Sequence, residues 1–229
     1  MKAPRQQLLF PELYEDTESL KPINVASVPQ RSPFRYPGGK TWFVPTFRDW
    51  IKNHYPKPEI LIEPFAGGGI ISLTALFEEL VSRVVMVELD DEIAAVWQAV
   101  VNGDVARKID FRCDDGLKIM QEFASRKDAV YFLDPPYTVG GKKAGKRLYR
   151  HCDIDHKRLF ALCESVKGDF LMTYDNADEV KMMAKNYGFQ MRLIPMKNTH
   201  HATMQELVIG KDLSWMDRAT ERQRYGEVQ

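Results

Sequence analysis

Residues 129–141 read AVYFLDPPYTVGG, an apolar run that stops at an acid, two prolines and a tyrosine. Such a run suits a buried strand, which places the polar residues at its carboxyl end. Asp134 carries two acceptor oxygens, and Pro135 adds a backbone carbonyl with no N–H to compete for them. These acceptors suit an amino group whose lone pair is delocalised into an aromatic ring, as in adenine N6 or cytosine N4. Accepting its two N–H bonds draws the nitrogen toward a tetrahedral geometry and concentrates the lone pair on one face. Pro136 stiffens the turn, and Tyr137 offers a flat ring for stacking an unpaired base, a contact worth about 1–3 kcal/mol. A base inside a duplex has to be flipped out to reach such a pocket. The alternative reading of DPPY is a plain strand-ending turn, because Asp and Pro are both turn residues.

A second constellation precedes it. EPFAGGGIISL puts Gly67, Gly68 and Gly69 between a strand and a helix, where the backbone can turn sharply and approach a ligand. Glu88 ends the next apolar run, where a carboxylate can accept hydrogen bonds from both hydroxyls of a ribose. The spacing is GGG and not GxGxxG, which makes a NAD-dependent oxidoreductase the weaker alternative. GGKT at 38–41 is similar to the tail of a P-loop, but Phe34 stands where the leading glycine belongs and no strand precedes it.

The elements that must position these residues alternate along the chain. Strands are expected at 59–65, 83–89, 108–113, 129–134, 168–174, 189–196 and 204–210, and helices at 41–53, 69–81, 91–102, 115–125, 155–167 and 177–187. Asp90, Asp114 and Asp155 stand where helix N-caps are needed. Alternation of this kind predicts an α/β fold with a doubly wound, mostly parallel seven-stranded sheet. Ligands then bind outside the carboxyl ends of the strands, the edge shared by Glu63, Glu88, Asp115 and Asp134.

Composition sets the remaining bounds. At 229 residues the chain suits one well-buried domain, expected over 32–211, with an extended N-terminal arm over 1–31 and a tail over 212–229. The formal net charge is zero, so any basic surface has to be local. Three cysteines without a CxxC pair predict free thiols and a reducing compartment. MKAPRQQLLFPEL lacks the apolar core of a signal peptide, so a soluble, cytoplasmic protein without membrane contact is expected. The five histidines show no ligand spacing, and no metal is expected.

In this order, PFRYPGGK, EPFAGGG, VELD, CDD and DPPY resemble S-adenosylmethionine-dependent amino-methyltransferases, in particular DNA adenine N6-methyltransferases of the Dam type, the D12 class. The resemblance covers roughly residues 33–210 and implies the methyltransferase version of the doubly wound sheet, whose last strand runs antiparallel. It implies S-adenosylmethionine as cofactor. Tyr36, Gly38, Gly39 and Lys40 would line its methionine end, with Lys40 the natural partner for a carboxylate. Glu63, Pro64, Phe65, Ala66, Gly67, Gly68 and Gly69 would form the glycine loop, Glu88 and Leu89 the ribose site, and Asp115 the contact to its adenine. Asp134, Pro135, Pro136 and Tyr137 would be the catalytic set, with Asp134 also beside the cofactor. The acid heading DPPY leans toward adenine, with cytosine N4, an RNA adenine or a non-catalytic subunit as alternatives.

The family usually inserts its target-recognition region between the cofactor-adenine acid and the catalytic loop. Here little more than a helix and a strand separates Asp115 from Asp134. Contact with DNA is therefore expected from TVGGKKAGKRLYRH, through Lys142, Lys143, Lys146, Arg147 and Arg150. NTHHATMQ at 198–205 is a second polar loop that could border the cleft. Gln6, Leu9 and Phe10 resemble the QxxLF peptides that dock on the bacterial sliding clamp; the alternative is that the same apolar residues pin the arm to its own domain.

Overall fold

Four of the strands are buried along almost their whole length, as near-continuous apolar runs must be when helices cover both faces of a parallel sheet. The computed structural model describes residues 10–15, 28–101, 106–137, 154–197 and 203–217. Its strands are β1 (Ile60–Glu63), β2 (Arg83–Glu88), β3 (Ile109–Cys113), β4 (Ala129–Leu133), β5 (Asp169–Asp175), β6 (Gln190–Lys197) and β7 (Thr203–Gly210). They form one sheet in the order β3-β2-β1-β4-β5-β7-β6. All neighbouring pairs from β3 to β5 are parallel, and β7 runs antiparallel to both β5 and β6. The expected mostly parallel sheet with an antiparallel last strand is the one observed.

The helices are α1 (Glu12–Glu15), α2 (Val44–Asn53), α3 (Ile70–Phe77), α4 (Asp91–Val100), α5 (Gly116–Phe123), α6 (His156–Ser165) and α7 (Asp178–Asn186). Strand residues alternate between two cores. Leu61, Val84, Val130 and Phe132 face Phe43, Phe47, Trp50 and Trp97 on one side. Ile62, Val85, Tyr131 and Leu133 face Leu117, Leu159, Phe160 and Val180 on the other.

Several ends depart from expectation for local reasons. The helix expected from residue 41 begins as a 3-10 turn, Thr41–Phe43, and α2 takes over where Pro45, which has no amide hydrogen to satisfy, occupies its first turn. Asp90 caps α4 through the amides of Glu92 and Ile93, and Asp155 caps α6 through that of Arg158. At α5 the cap is Asp115, whose carboxylate accepts from Leu117 N–H at 2.8 Å, and not the expected Asp114. Asp114 instead accepts from Asp115 N–H and pairs with Lys118 one helical turn on.

Within 1–31, residues 12–15 form a helical turn that packs against the domain. Tyr14 donates to Asn176, its hydroxyl accepts from the buried ammonium of Lys181 at 3.1 Å, and Val28 joins the core. Among the described residues no helix is long and apolar enough to cross a membrane. Cys113 and Cys163 are free thiols.

Candidate active site

The strand order reverses between β1 and β4, the place where a doubly wound sheet leaves a crevice. A cleft of about 910 Å3 opens at that edge. Of the expected cofactor residues, Tyr36, Gly38, Gly39, Lys40, Pro64, Phe65, Gly67, Glu88, Leu89, Asp115 and Asp134 line it, together with Pro135, Pro136 and Tyr137. Glu63, Ala66, Gly68 and Gly69 adjoin these residues in the chain and are not part of the lining.

Glu63 is 4 % exposed, and its Oε2 accepts from the amide and hydroxyl of Ser72 in the first turn of α3. Burial pushes its carboxyl up to about 8, against the pull of those two bonds. It therefore clamps the helix to the strand as a neutral acid.

The loop itself is tight. Gly69 has φ 61°, and a Cβ there would lie 2.5 Å from Met86 Cε and 2.7 Å from the Trp97 ring. The Trp97 indole N–H donates to the Gly67 carbonyl at 2.8 Å, and the Tyr36 ring packs directly on Gly67. Glu88 Oε2 accepts from Gly67 N–H at 3.1 Å, while Oε1 accepts from the amides of Leu89 and Asp90. Burial raises the Glu88 carboxyl above the ordinary range in spite of these three bonds. A carboxylate has about four lone-pair sites, so this one retains capacity for a ligand hydroxyl.

At the other end of the cleft, Lys40 Nζ lies 2.7 Å from Asp134 Oδ1 and donates to the Gly38 carbonyl at 3.2 Å. Lys40 lines the cleft as expected, and its nearest charge is the head of the DPPY turn. Asp134 Oδ1 also accepts from Thr173 at 3.0 Å and from the Tyr137 hydroxyl at 2.8 Å. The Tyr137 hydroxyl lies 2.6 Å from Glu206 Oε1 as well. The Tyr137 ring stacks on Tyr174 with centroids 5.1 Å apart, and the Lys40 ammonium stands 5.3 Å from its centroid. Tyr137 is thus an anchored wall of the pocket, with one face already stacked on its own chain.

Glu206, Thr173, Asp175 and Arg158 belong to this site or border it and stand in none of the motifs assigned to it, whereas Met204, which lines the cleft, falls in the stretch 198–205 expected to border it. The available signal for Glu206 was a lone acid inside the apolar strand MQELVIG. Asp115 lines the cleft with its capping carboxylate 3.6 Å from the Arg158 guanidinium, so it is a cap and a cleft residue at once. The expected DNA contacts Lys142, Lys143, Lys146, Arg147 and Arg150 lie outside the described residues, as do Gln6, Leu9 and most of 198–205. Phe10 is described: it is 3 % exposed, packed against its own chain with Lys185 over its ring.

The fold is similar to that of known structures. A precorrin-6y C5,15-methyltransferase from Geobacter metallireducens is 10% identical, with 82% of this chain and 97% of that chain covered and a TM-score of 0.52. A SAM-dependent methyltransferase from Agrobacterium tumefaciens is 15% identical, covering 77% of this chain and 63% of its own, with a TM-score of 0.52. A candidate RNA methyltransferase from Pyrococcus horikoshii is 15% identical, covering 90% and 96%, with a TM-score of 0.51. The fold is that of methyltransferases.

Residues 36–118 match the model of the D12 class N6 adenine-specific DNA methyltransferases. The matched stretch carries the glycine loop, Glu88 and Asp115, and ends before Asp134. No curated protein matches the chain. Fold and family match together support a methyltransferase that uses S-adenosylmethionine.

Proposed function

We propose that this chain transfers the methyl group of S-adenosylmethionine to the N6 amine of adenine in DNA, with the base flipped into the pocket beside Asp134. The observation that carries this reading is the orientation of Asp134. The three donors at Oδ1 hold the carboxylate at the mouth of a cleft whose far end is the glycine loop, Glu88 and Asp115.

The cofactor fits the residues present. Gly67 brings bare backbone to the wall, Glu88 has a lone pair to spare for a ribose hydroxyl, and Phe65, Ile93 and Leu117 offer apolar walls to an adenine ring. When bound, the cofactor supplies a methyl group made electrophilic by a positively charged sulfur. The protein does the rest by alignment and by excluding water.

Asp134 accepts one N–H of the target amine and the Pro135 carbonyl the other, which restores the nucleophilic lone pair. The nitrogen becomes strongly acidic after transfer, so Asp134 need not be a strong base. Tyr137, fixed against Tyr174, closes one side of the pocket. Between Asp115 and Asp134 the chain holds α5 and β4 and no recognition insertion, which supports a short or relaxed sequence preference.

Incubating the full chain with methyl-labelled cofactor and either DNA or RNA, then analysing the labelled nucleoside, tests the reading. N6-methyladenine in DNA is the expected product. N4-methylcytosine, or labelling of RNA alone, would replace the proposed substrate.

A further inference from the structure

A buried carboxylate and a partly buried one share one phenol. The Tyr137 hydroxyl lies 2.8 Å from Asp134 Oδ1 and 2.6 Å from Glu206 Oε1, yet it has a single hydrogen to donate. When both acids are ionised, one of them faces an oxygen lone pair at hydrogen-bond distance. Lys40 does not remove the conflict, because one ammonium stands 2.7 Å from Asp134 and 3.7 Å from Glu206. One added proton does remove it, and Glu206 is where it belongs. Its side chain is 9 % exposed against 19 % for Asp134, and it is the farther of the two from the cation.

We propose that Glu206 is a positioning residue for methyl transfer: its protonation state decides which carboxylate the Tyr137 hydroxyl serves, and so how much acceptor capacity Asp134 keeps for the target amine. The inference rests on the methyl-transfer reading above.

In the protonated state the Glu206 carboxyl donates to the Tyr137 oxygen, and Tyr137 donates to Asp134 Oδ1, where Lys40 and Thr173 also donate. That oxygen is then fully engaged. In the ionised state Glu206 takes the phenol hydrogen over the shorter contact and draws on Lys40. Asp134 sheds one donor and shares its cation, which makes it the better acceptor. Burial pushes the Glu206 carboxyl up to about 7, Lys40 and the Tyr137 hydrogen bond pull it back, and Asp134 and Asp175 push it further up. Its partner on β6, Ile194, adds no charge. The Tyr137 phenol, raised well above its ordinary value by burial and by the two acids, stays protonated throughout.

The test is single-turnover methylation of an adenine-containing DNA duplex by the full chain between pH 6 and 8.5, for the native protein, Glu206→Gln and Tyr137→Phe. Calorimetric binding of S-adenosylhomocysteine to each shows that the cofactor site is formed. The native rate is expected to rise up to about tenfold from pH 6 to 8, the change in ionised fraction of one group titrating near 7. Glu206→Gln and Tyr137→Phe are expected to flatten that rise. A flat native profile would overturn the inference whatever the variants do. A Glu206→Gln profile lowered by one factor at every pH, with the rise intact, would also overturn it, since that is how a packing role reads. Absence of methylation by the native chain at any pH would overturn the functional reading and the inference together.

Discussion

Lys40 Nζ and Asp134 Oδ1 lie 2.7 Å apart although the two residues are 94 positions apart in the sequence. Lys40 precedes the turn Thr41–Phe43, and Asp134 follows β4. The glycine-rich PGGK turn thus reaches the DPPY turn directly, and one ion pair links the two segments that bound the cleft.

Asp134 is the group that addresses the target amine. Asp134→Ala is expected to lower methylation by about 10³-fold or more, because a preorganised acceptor at the reacting nitrogen is lost. S-adenosylhomocysteine affinity should change only a few-fold, as Glu88 and the glycine loop are untouched. Parallel calorimetry and methylation assays check the split; equal loss of both would assign Asp134 to the cofactor instead.

Glu63 makes stability depend on pH. Its folded-state value, about 8, lies above the ordinary 4.5, so this carboxyl binds a proton on folding. Its contribution is complete below about 4.5 and is lost as pH rises toward 8, at up to about 1.4 kcal/mol per pH unit. Glu63→Gln keeps an acceptor for Ser72 and removes the titration. Urea unfolding at pH 5 and pH 8 should show a smaller decline in the variant than in the native chain.

Two glycines separate conformational cost from collision. Gly69 and Gly188 both have positive φ, but a Cβ at Gly188 meets nothing within 4 Å, whereas one at Gly69 strikes Met86 and Trp97. Gly188→Ala should cost about 1 kcal/mol and Gly69→Ala about 2 kcal/mol more. Thermal unfolding of the pair measures the difference, and equal losses would mean the loop yields around the added methyl.

Tyr14 joins the arm to the domain. Its hydroxyl accepts from Lys181, which is 2 % exposed, and contacts Asn176 beside the cleft residue Asp175. Tyr14→Phe leaves a buried ammonium short of a partner and is expected to cost about 1–3 kcal/mol in urea unfolding. No loss would show that α1 is an appendage.

The strand pattern was legible because burial on both faces writes an uninterrupted apolar run, as in AVYFL and RVVMV. The cleft edge was legible too, since acids at strand ends and a glycine turn have few other uses. Pairings between distant segments were not. Nothing near Lys40 announces Asp134, and a free lysine and an ion-paired one have the same local sequence. Glu206 was hidden because its strand alternation looks ordinary until β7 is seen beside β5, which brings the acid opposite Asp175 and against Tyr137. The Asp114 and Asp115 choice turned on one residue of helix phase, which adjacent acids leave open.

Trp97 has a consequence for how ligand binding is driven. One buried indole supports the Gly67 carbonyl by a hydrogen bond and fills the space beneath Gly69, while Glu88 holds the Gly67 amide from the other side. The loop is therefore preorganised, braced on both edges before any ligand arrives. Little conformational entropy remains to be lost there, so affinity at that end of the cleft is set by contacts and desolvation rather than by the work of ordering a chain.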